Sequence, residues 1–168
     1  FVCCVILFTQ VSSGHHAVQL EHTIPWIRFE TLTIDLGVLI NPLAIMMLMV
    51  VTGVGSAIFI YSKGYMADDP SSPRFFSYLS LFAFSMIGIV LSGILLVMYI
   101  FWELVGVSSY LLIGFWYLKP RAVWAAQKAF ILNRIGDAAF LTGILMLFYY
   151  IGSTDFEVLS ITVDSISP

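Results

Sequence analysis

FFSYLSLFAFSMIGIVLSGILLVMYIFWELVGVSSYLLIGFWY, residues 75–117, is apolar throughout except for scattered small polar residues and a single charge, Glu103. A membrane-spanning α-helix takes ~20 residues. This run is therefore too long for one span and long enough for two. Ser92-Gly93 is the natural interruption, so Phe75–Leu91 and Leu95–Tyr117 are expected as a tight helical hairpin.

The flanking segments repeat the pattern. Tyr117-Leu118-Lys119-Pro120-Arg121 closes the hairpin, and a further span is expected from Ala122 to Ile151, ended by Gly152-Ser153-Thr154-Asp155. On the other side, Asp68-Asp69-Pro70-Ser71-Ser72-Pro73 marks a loop over Ser62–Arg74, since two prolines and two acids oppose helix continuation. Before it, Pro42–Tyr61 reads as a span that opens on proline, where the missing N–H costs nothing. Residues 1–9 read as the tail of a hydrophobic helix entered midway, so the sequence is expected to be an internal fragment. The connection from Gln10 to Ile40 alternates in Ile24-Pro25-Trp26-Ile27-Arg28-Phe29 and Leu32-Thr33-Ile34-Asp35-Leu36, which predicts a short β-ribbon at the membrane surface. The expected fold is an all-α polytopic membrane protein: four complete transmembrane helices, one truncated helix and a β-ribbon-like loop, in one membrane domain over 1–168.

Composition excludes an ordinary soluble domain. The chain is 60% hydrophobic and 10% charged, with mean hydropathy +0.99, whereas soluble chains carry about 25% charged residues. Too few polar residues remain to cover an aqueous surface. Cys3 and Cys4 are adjacent in an apolar run, a spacing that suits neither a metal knuckle nor a redox pair. His15, His16 and His22 read as loop histidines, without a cysteine or carboxylate framework for zinc. No charged n-region or small-residue cleavage site marks a signal peptide. The net charge of −3 says little about partners when most of the surface faces lipid.

Loop charges give an orientation. Alternate connections place Lys63, Arg74, Lys119 and Arg121 on one side and only Arg28 on the other. The positive-inside rule then puts the 62–74 and 119–121 loops in the cytoplasm, matrix or stroma, and the 10–40 connection outside.

Four ionisable residues remain inside spans: Glu103, Lys128, Arg134 and Asp137. Each costs ~2.5–3.5 kcal/mol at a helix centre even on the lenient insertion scale, so each needs a partner or water. Lys128 lies near enough to its helix start to snorkel. Arg134 and Asp137 are three residues apart on one helix face and can neutralise each other. Glu103 has no charged residue three or four positions away on its own helix, which makes it the sharpest candidate for function. At 1.5 Å per residue, Glu103 lies ~12 Å in from Leu95 and Arg134 ~18 Å in from Ala122. In a ~30 Å core those are nearly one level. Glu103, Arg134 and Asp137, with Lys128 as a further member, are therefore expected to form one polar band near mid-membrane, where coupled titratable groups could move protons.

The order of short runs adds a resemblance. Gly64-Tyr65-Met66, Asp69-Pro70, Arg74-Phe75-Phe76, Phe101-Trp102-Glu103-Leu104-Val105-Gly106, and Ser109-Tyr110-Leu111-Leu112-Ile113-Gly114-Phe115-Trp116 are followed by Lys128-Ala129-Phe130 and Asn133-Arg134-Ile135-Gly136-Asp137. The chain resembles the large antiporter-like subunit of respiratory complex I, the proton-translocating NADH–quinone oxidoreductase: subunit L in bacteria and subunit 5 in mitochondria, with a homologue of the chloroplast type. The resemblance covers nearly the whole chain and implies the end of that family's second helix through its sixth. It implies that Glu103 is the family's key carboxylate, working with a lysine on a seventh helix that lies beyond Pro168, and that Arg134 and Asp137 are the charged pair of the sixth. It further implies proton transport coupled to electron transfer from NADH to quinone in other subunits. NADH, FMN, iron–sulfur clusters and quinone would then be held by partner membrane-arm and redox subunits and none by this chain, which has no Gly-rich dinucleotide loop and no cysteine set. Its partners would be those subunits, the bilayer and protons, not nucleic acid. The compartment implied is a bacterial cell membrane, with an organelle inner or thylakoid membrane as the alternative.

Phe59, Ile94 and Asn41 depart from the family's usual histidine, asparagine and aspartate. Related readings are the large subunit of a multisubunit sodium–proton antiporter, a membrane-bound hydrogenase subunit, a bicarbonate-uptake protein of the same superfamily, or a non-transporting scaffold. The aromatic residues Phe75, Phe76, Phe82, Phe84, Trp116 and Tyr117 read as packing and lipid contact rather than as a quinone site.

Overall fold

A computed structural model describes residues 1–12, 20–28, 33–156 and 158–161. Its elements are α1 (Val2–Ser12), β1 (Leu20–Arg28), β2 (Thr33–Ile40), α2 (Pro42–Tyr65), α3 (Ser72–Leu91), α4 (Leu95–Ile113) and α5 (Pro120–Ile151). Helices α2 to α5 are each long and apolar enough to cross a membrane.

Local chemistry explains where the helices stop. The Asn41 side chain accepts the Ala44 N–H at 2.7 Å, and Pro42 follows it in the first turn, so an N-cap and a pre-set φ open α2 together. α2 continues past the expected Tyr61 to Tyr65 because Lys63 suits the negative end of the helix dipole and Gly64 alone does not break it. α3 starts at Ser72 rather than Phe75: Pro73 sits in its first turn, where proline is tolerated. Arg74 is thereby helical, and the preceding turn is held by Asp69, whose carboxylate accepts the Ser71 N–H at 2.7 Å. α4 ends at Ile113 instead of Tyr117. Its C-cap is Gly114, and Phe115 leaves the helix axis to bury itself, at 4% exposure, against Phe75 (ring centroids 5.3 Å apart). α5 opens on Pro120 and ends at Gly152, whose φ of 80° is left-handed and whose N–H bonds Phe148 O at 2.8 Å. Glycine adopts that conformation without a Cβ penalty.

The β-ribbon is antiparallel, from Leu20↔Ile40 to Arg28↔Thr33, with a register shift between Pro25 and Ile27. Proline within a strand needs such an irregularity because it donates nothing to the ladder. Phe29 and Leu32 lie outside the described residues. The ribbon caps one end of the bundle. Gly93 N–H bonds Gly37 O at 2.9 Å, Leu95 N–H bonds Thr154 O at 2.8 Å, and Phe156 N–H bonds Gly93 O at 3.2 Å. Backbone groups freed at the α3–α4 turn are thus paired by β2 and by the segment after α5. The four cations Lys63, Arg74, Lys119 and Arg121 lie at the other end, where α2 stops, α3 starts, α4 stops and α5 starts.

Small residues bring α3 and α4 together. Ser85 and Ser108 are fully buried, and their hydroxyls bond Leu81 O (2.6 Å) and Val105 O (3.0 Å) on their own helices. A Cβ on Gly88 would overlap the Phe101 ring. Close backbone approach of this kind drives helix association where lipid removes the hydrophobic difference. The outward faces remain apolar: Leu43, Ile60, Leu118, Trp124, Ile135 and Tyr149 are all more than half exposed.

Candidate functional site

Arg134 of α5 forms an ion pair with Glu103 of α4. The Glu103 side chain is 19% exposed and that of Arg134 39%. One turn before it on α5, Phe130 presents its ring face to the guanidinium, 4.7 Å from Cζ to centroid. The second carboxylate oxygen of Glu103 accepts the Tyr99 hydroxyl at 2.6 Å, one turn back on α4. Asp137 is 6% exposed and accepts the indole N–H of Trp102 at 3.0 Å. Tyr99 and Trp102 both pack edge-on against Phe140 of α5, with centroids 5.8 Å apart in each case.

This corrects one expectation from sequence. Arg134 and Asp137 do not neutralise each other along α5. The long arginine side chain crosses to α4, whereas the short Asp137 side chain is taken by the indole donor next to Glu103 in sequence. Glu103, Arg134 and Asp137 are therefore joined to α4–α5 contacts at one level. Lys128 is not brought to them: it is exposed on another face of α5, with no ion pair.

Sequence reasoning misses Tyr99 and Trp102, although each carries a signal. Tyr99 is four residues before Glu103 and so shares its helix face, and an indole N–H in an apolar helix seeks an acceptor. Phe59, at a position where a polar residue is usual in the family it resembles, stacks on Phe76 with centroids 6.3 Å apart. It helps line a groove of about 830 Å³ between α2 and α3. The only hydroxyls there, Thr52 and Ser56, donate to Leu48 O and Thr52 O of their own helix at 2.7 Å. That groove carries no titratable group.

Cys3 and Cys4 are free and adjacent on α1, and among the described residues no three His, Cys, Asp or Glu side chains converge. His15 and His16 lie outside the described residues, and His22 is exposed.

The family described as NADH-Ubiquinone oxidoreductase (complex I), chain 5 N-terminus, matches residues 26–76, and that described as NADH:quinone oxidoreductase/Mrp antiporter, TM, matches residues 92–167. The chain belongs to the complex I subunit 5 family. Among curated relatives it is similar to NAD(P)H-quinone oxidoreductase subunit 5, chloroplastic, of Zygnema circumcarinatum, 48% identical over 92% of this chain and 22% of the relative. It is 54% identical to the subunit of the same name from Chara vulgaris, over 79% of this chain and 20% of the relative. It is 48% identical to NAD(P)H-quinone oxidoreductase chain 5 of Synechocystis sp., over 90% of this chain and 22% of the relative. The chain thus spans about a fifth of these relatives' length. Its fold is shared by a chain of the Mrp complex from Dietzia sp. (TM-score 0.80, 23% identity, 98% of this chain and 18% of that one). A chain of the archaeal membrane-bound sulfane sulfur reductase is more distant (TM-score 0.67, 17% identity, 96% and 25%). Like the subunit 5 relatives, this chain is a multi-pass membrane protein.

Proposed function

We propose that this chain carries part of a proton path through the membrane arm of an NAD(P)H–quinone oxidoreductase, with Glu103 as the proton-carrying group. The observation that carries this reading is the Glu103–Arg134 ion pair between two apolar spans. Charges at that depth are costly unless paired or functional. Two carboxylates, Glu103 and Asp137, stand against one guanidinium, Arg134. This leaves the cluster one positive charge short, a place for a proton or for a cation from elsewhere in the longer protein. Tyr99 and Trp102 hold one carboxylate each and so fix the distance between them. Arg134 and Asp137 act as the charges against which Glu103 loads and unloads. Lys128 is exposed and stands outside this cluster, and it is proposed to act toward a neighbouring segment.

The end bearing Lys63, Arg74, Lys119 and Arg121 is proposed to face the cytoplasm or stroma, with the β-ribbon outside. Redox cofactors are proposed to sit in partner subunits, because the relatives are named as oxidoreductase subunits and among the described residues no three His, Cys, Asp or Glu side chains converge. The relatives' names favour quinone-linked proton transport over sodium–proton exchange. The Mrp likeness, at 23% identity, bears on fold alone.

The test is substrate-driven proton uptake into inverted vesicles carrying the full-length protein with Glu103→Gln, measured beside the oxidation rate. Uptake is expected to fall at least tenfold in an assembled complex. Unchanged uptake and oxidation would make Glu103 structural and end this reading.

A further inference from the structure

Arg74 stands in the first turn of α3 at the cation-bearing end of the bundle. Its guanidinium is not met by a carboxylate among the described residues. It is flanked instead by two π-faces, with Cζ 5.1 Å from the Phe115 centroid and 5.1 Å from that of Tyr117. Aromatic faces orient an arginine while leaving its planar fork of N–H donors available. Lys119 is handled in the same way, its Nζ 4.7 Å from the centroid of Trp116. Of the nearby acids, Asp69 turns its carboxylate to the Ser71 N–H, and Asp68 is exposed.

Beside Arg74 lies a cavity of about 230 Å³ between α3, α4 and α5. Tyr78, Tyr110 and Tyr117 contribute to its wall, and Leu111, Val123 and the buried Phe115 make its apolar part. Among the described residues no hydrogen bond engages the Arg74 guanidinium or any of these three hydroxyls. Arg74 and three tyrosines thus line a single small space that continues into apolar wall, at the cation-bearing end of the bundle.

We propose that this cavity binds the phosphodiester of an anionic phospholipid of the phosphatidylglycerol class. Arg74 presents its fork to the phosphate, with phenol hydroxyls completing the donor set, and the acyl chains leave along the apolar wall. The chemistry selects an anionic headgroup over a zwitterionic one because Lys63, Lys119 and Arg121 share this end of the bundle. A quaternary ammonium would meet four cations there against two acids, Asp68 and Asp69, and the ring faces of Phe115, Trp116 and Tyr117 are already taken by Arg74 and Lys119. Basic pockets between spans on the positive side of a membrane recognise lipid headgroups by the same rule. The apolar wall favours a lipid over free phosphate.

The experiment uses the full-length protein in its purified complex, photolysed with diazirine-bearing phosphatidylglycerol or phosphatidylcholine and mapped by peptide mass spectrometry. Label is expected on the peptides carrying Tyr78 and Tyr110, at least fivefold stronger for phosphatidylglycerol, and at least fivefold weaker in Arg74→Gln. If Arg74→Gln does not assemble, the Tyr78→Phe/Tyr110→Phe double variant is expected to lower the label at least twofold. Equal labelling by both lipids, or label unchanged in the variants, overturns the proposal. Displacement of the label by millimolar inorganic phosphate would show a soluble-anion site and overturn the lipid assignment. None of these readouts depends on transport through Glu103.

Discussion

Arg134 reaches across from α5 to Glu103 on α4 and leaves Asp137, three residues along its own helix, to the indole of Trp102. The pair therefore ties two spans together as well as neutralising charge. Removing one partner strands the other in an apolar surrounding, which for a fully buried pair costs 3–5 kcal/mol. Arg134 is 39% exposed, so the pair is only partly enclosed, and about 1–3 kcal/mol is the expected loss for Arg134→Met. The Glu103→Leu/Arg134→Met double variant should recover much of that loss because no charge is stranded. Denaturation of the purified full-length protein in detergent checks both. Equal loss in single and double variants would mean that the pair does not hold the helices.

Trp102→Phe keeps an aromatic ring against Phe140 and removes the N–H that Asp137 accepts. Asp137 is 6% exposed, and a buried acceptor deprived of its donor costs about 1–3 kcal/mol. The carboxylate is then free to compete with Glu103 for Arg134. Stability should fall by that amount, and combining Trp102→Phe with Asp137→Asn should be strongly non-additive, since the two residues act as one contact. Simple additivity in the double-mutant cycle would separate them.

The spans were legible because apolar length is written directly in composition, and the levels of Glu103 and Arg134 followed from counting rise per residue. Helix ends were less so. Ser62-Lys63-Gly64-Tyr65 reads as loop by polarity yet continues α2, and Pro73 reads as a breaker yet opens α3. The grouping of Glu103, Arg134 and Asp137 was legible as one polar band, but not which partner each charge takes inside the membrane. A spacing of three allows Arg134 and Asp137 to meet on one helix, and only the rotation of α5 against α4 decides that Arg134 crosses over and Lys128 points elsewhere. Tyr99 and Trp102 were masked by a chain that is 15% aromatic, in which rings alone are no signal.

Asn41 supplies a smaller test of local coding. Its side-chain oxygen accepts the Ala44 N–H at 2.7 Å and caps the long span α2. Asn41→Ala should destabilise the protein by about 1 kcal/mol. Asn41→Asp should be neutral or stabilising, because a carboxylate caps equally well and meets the positive end of the helix dipole. Thermal unfolding of the full-length protein in detergent distinguishes the two, and identical melting of Asn41→Ala and the native protein would remove the cap from the account.

Gly88 tests whether the hairpin that sets Glu103 depends on backbone approach. A Cβ there would run into the Phe101 ring, and Phe101 cannot simply rotate away because it also packs edge-on against Phe84 at 5.6 Å. Overpacking of this kind typically costs 1–3 kcal/mol, so about that loss is expected for Gly88→Ala. The strain falls two residues from Glu103 on α4, so rotation of α4 should also weaken contact with Arg134. Phe101→Leu makes room for the new methyl, and Gly88→Ala/Phe101→Leu should regain more stability than Phe101→Leu alone would suggest. A Gly88→Ala protein as stable as the native one, with the Glu103–Arg134 coupling intact by double-mutant cycle, would show that α3 and α4 have slack at this crossing and that the glycine does not set the position of Glu103.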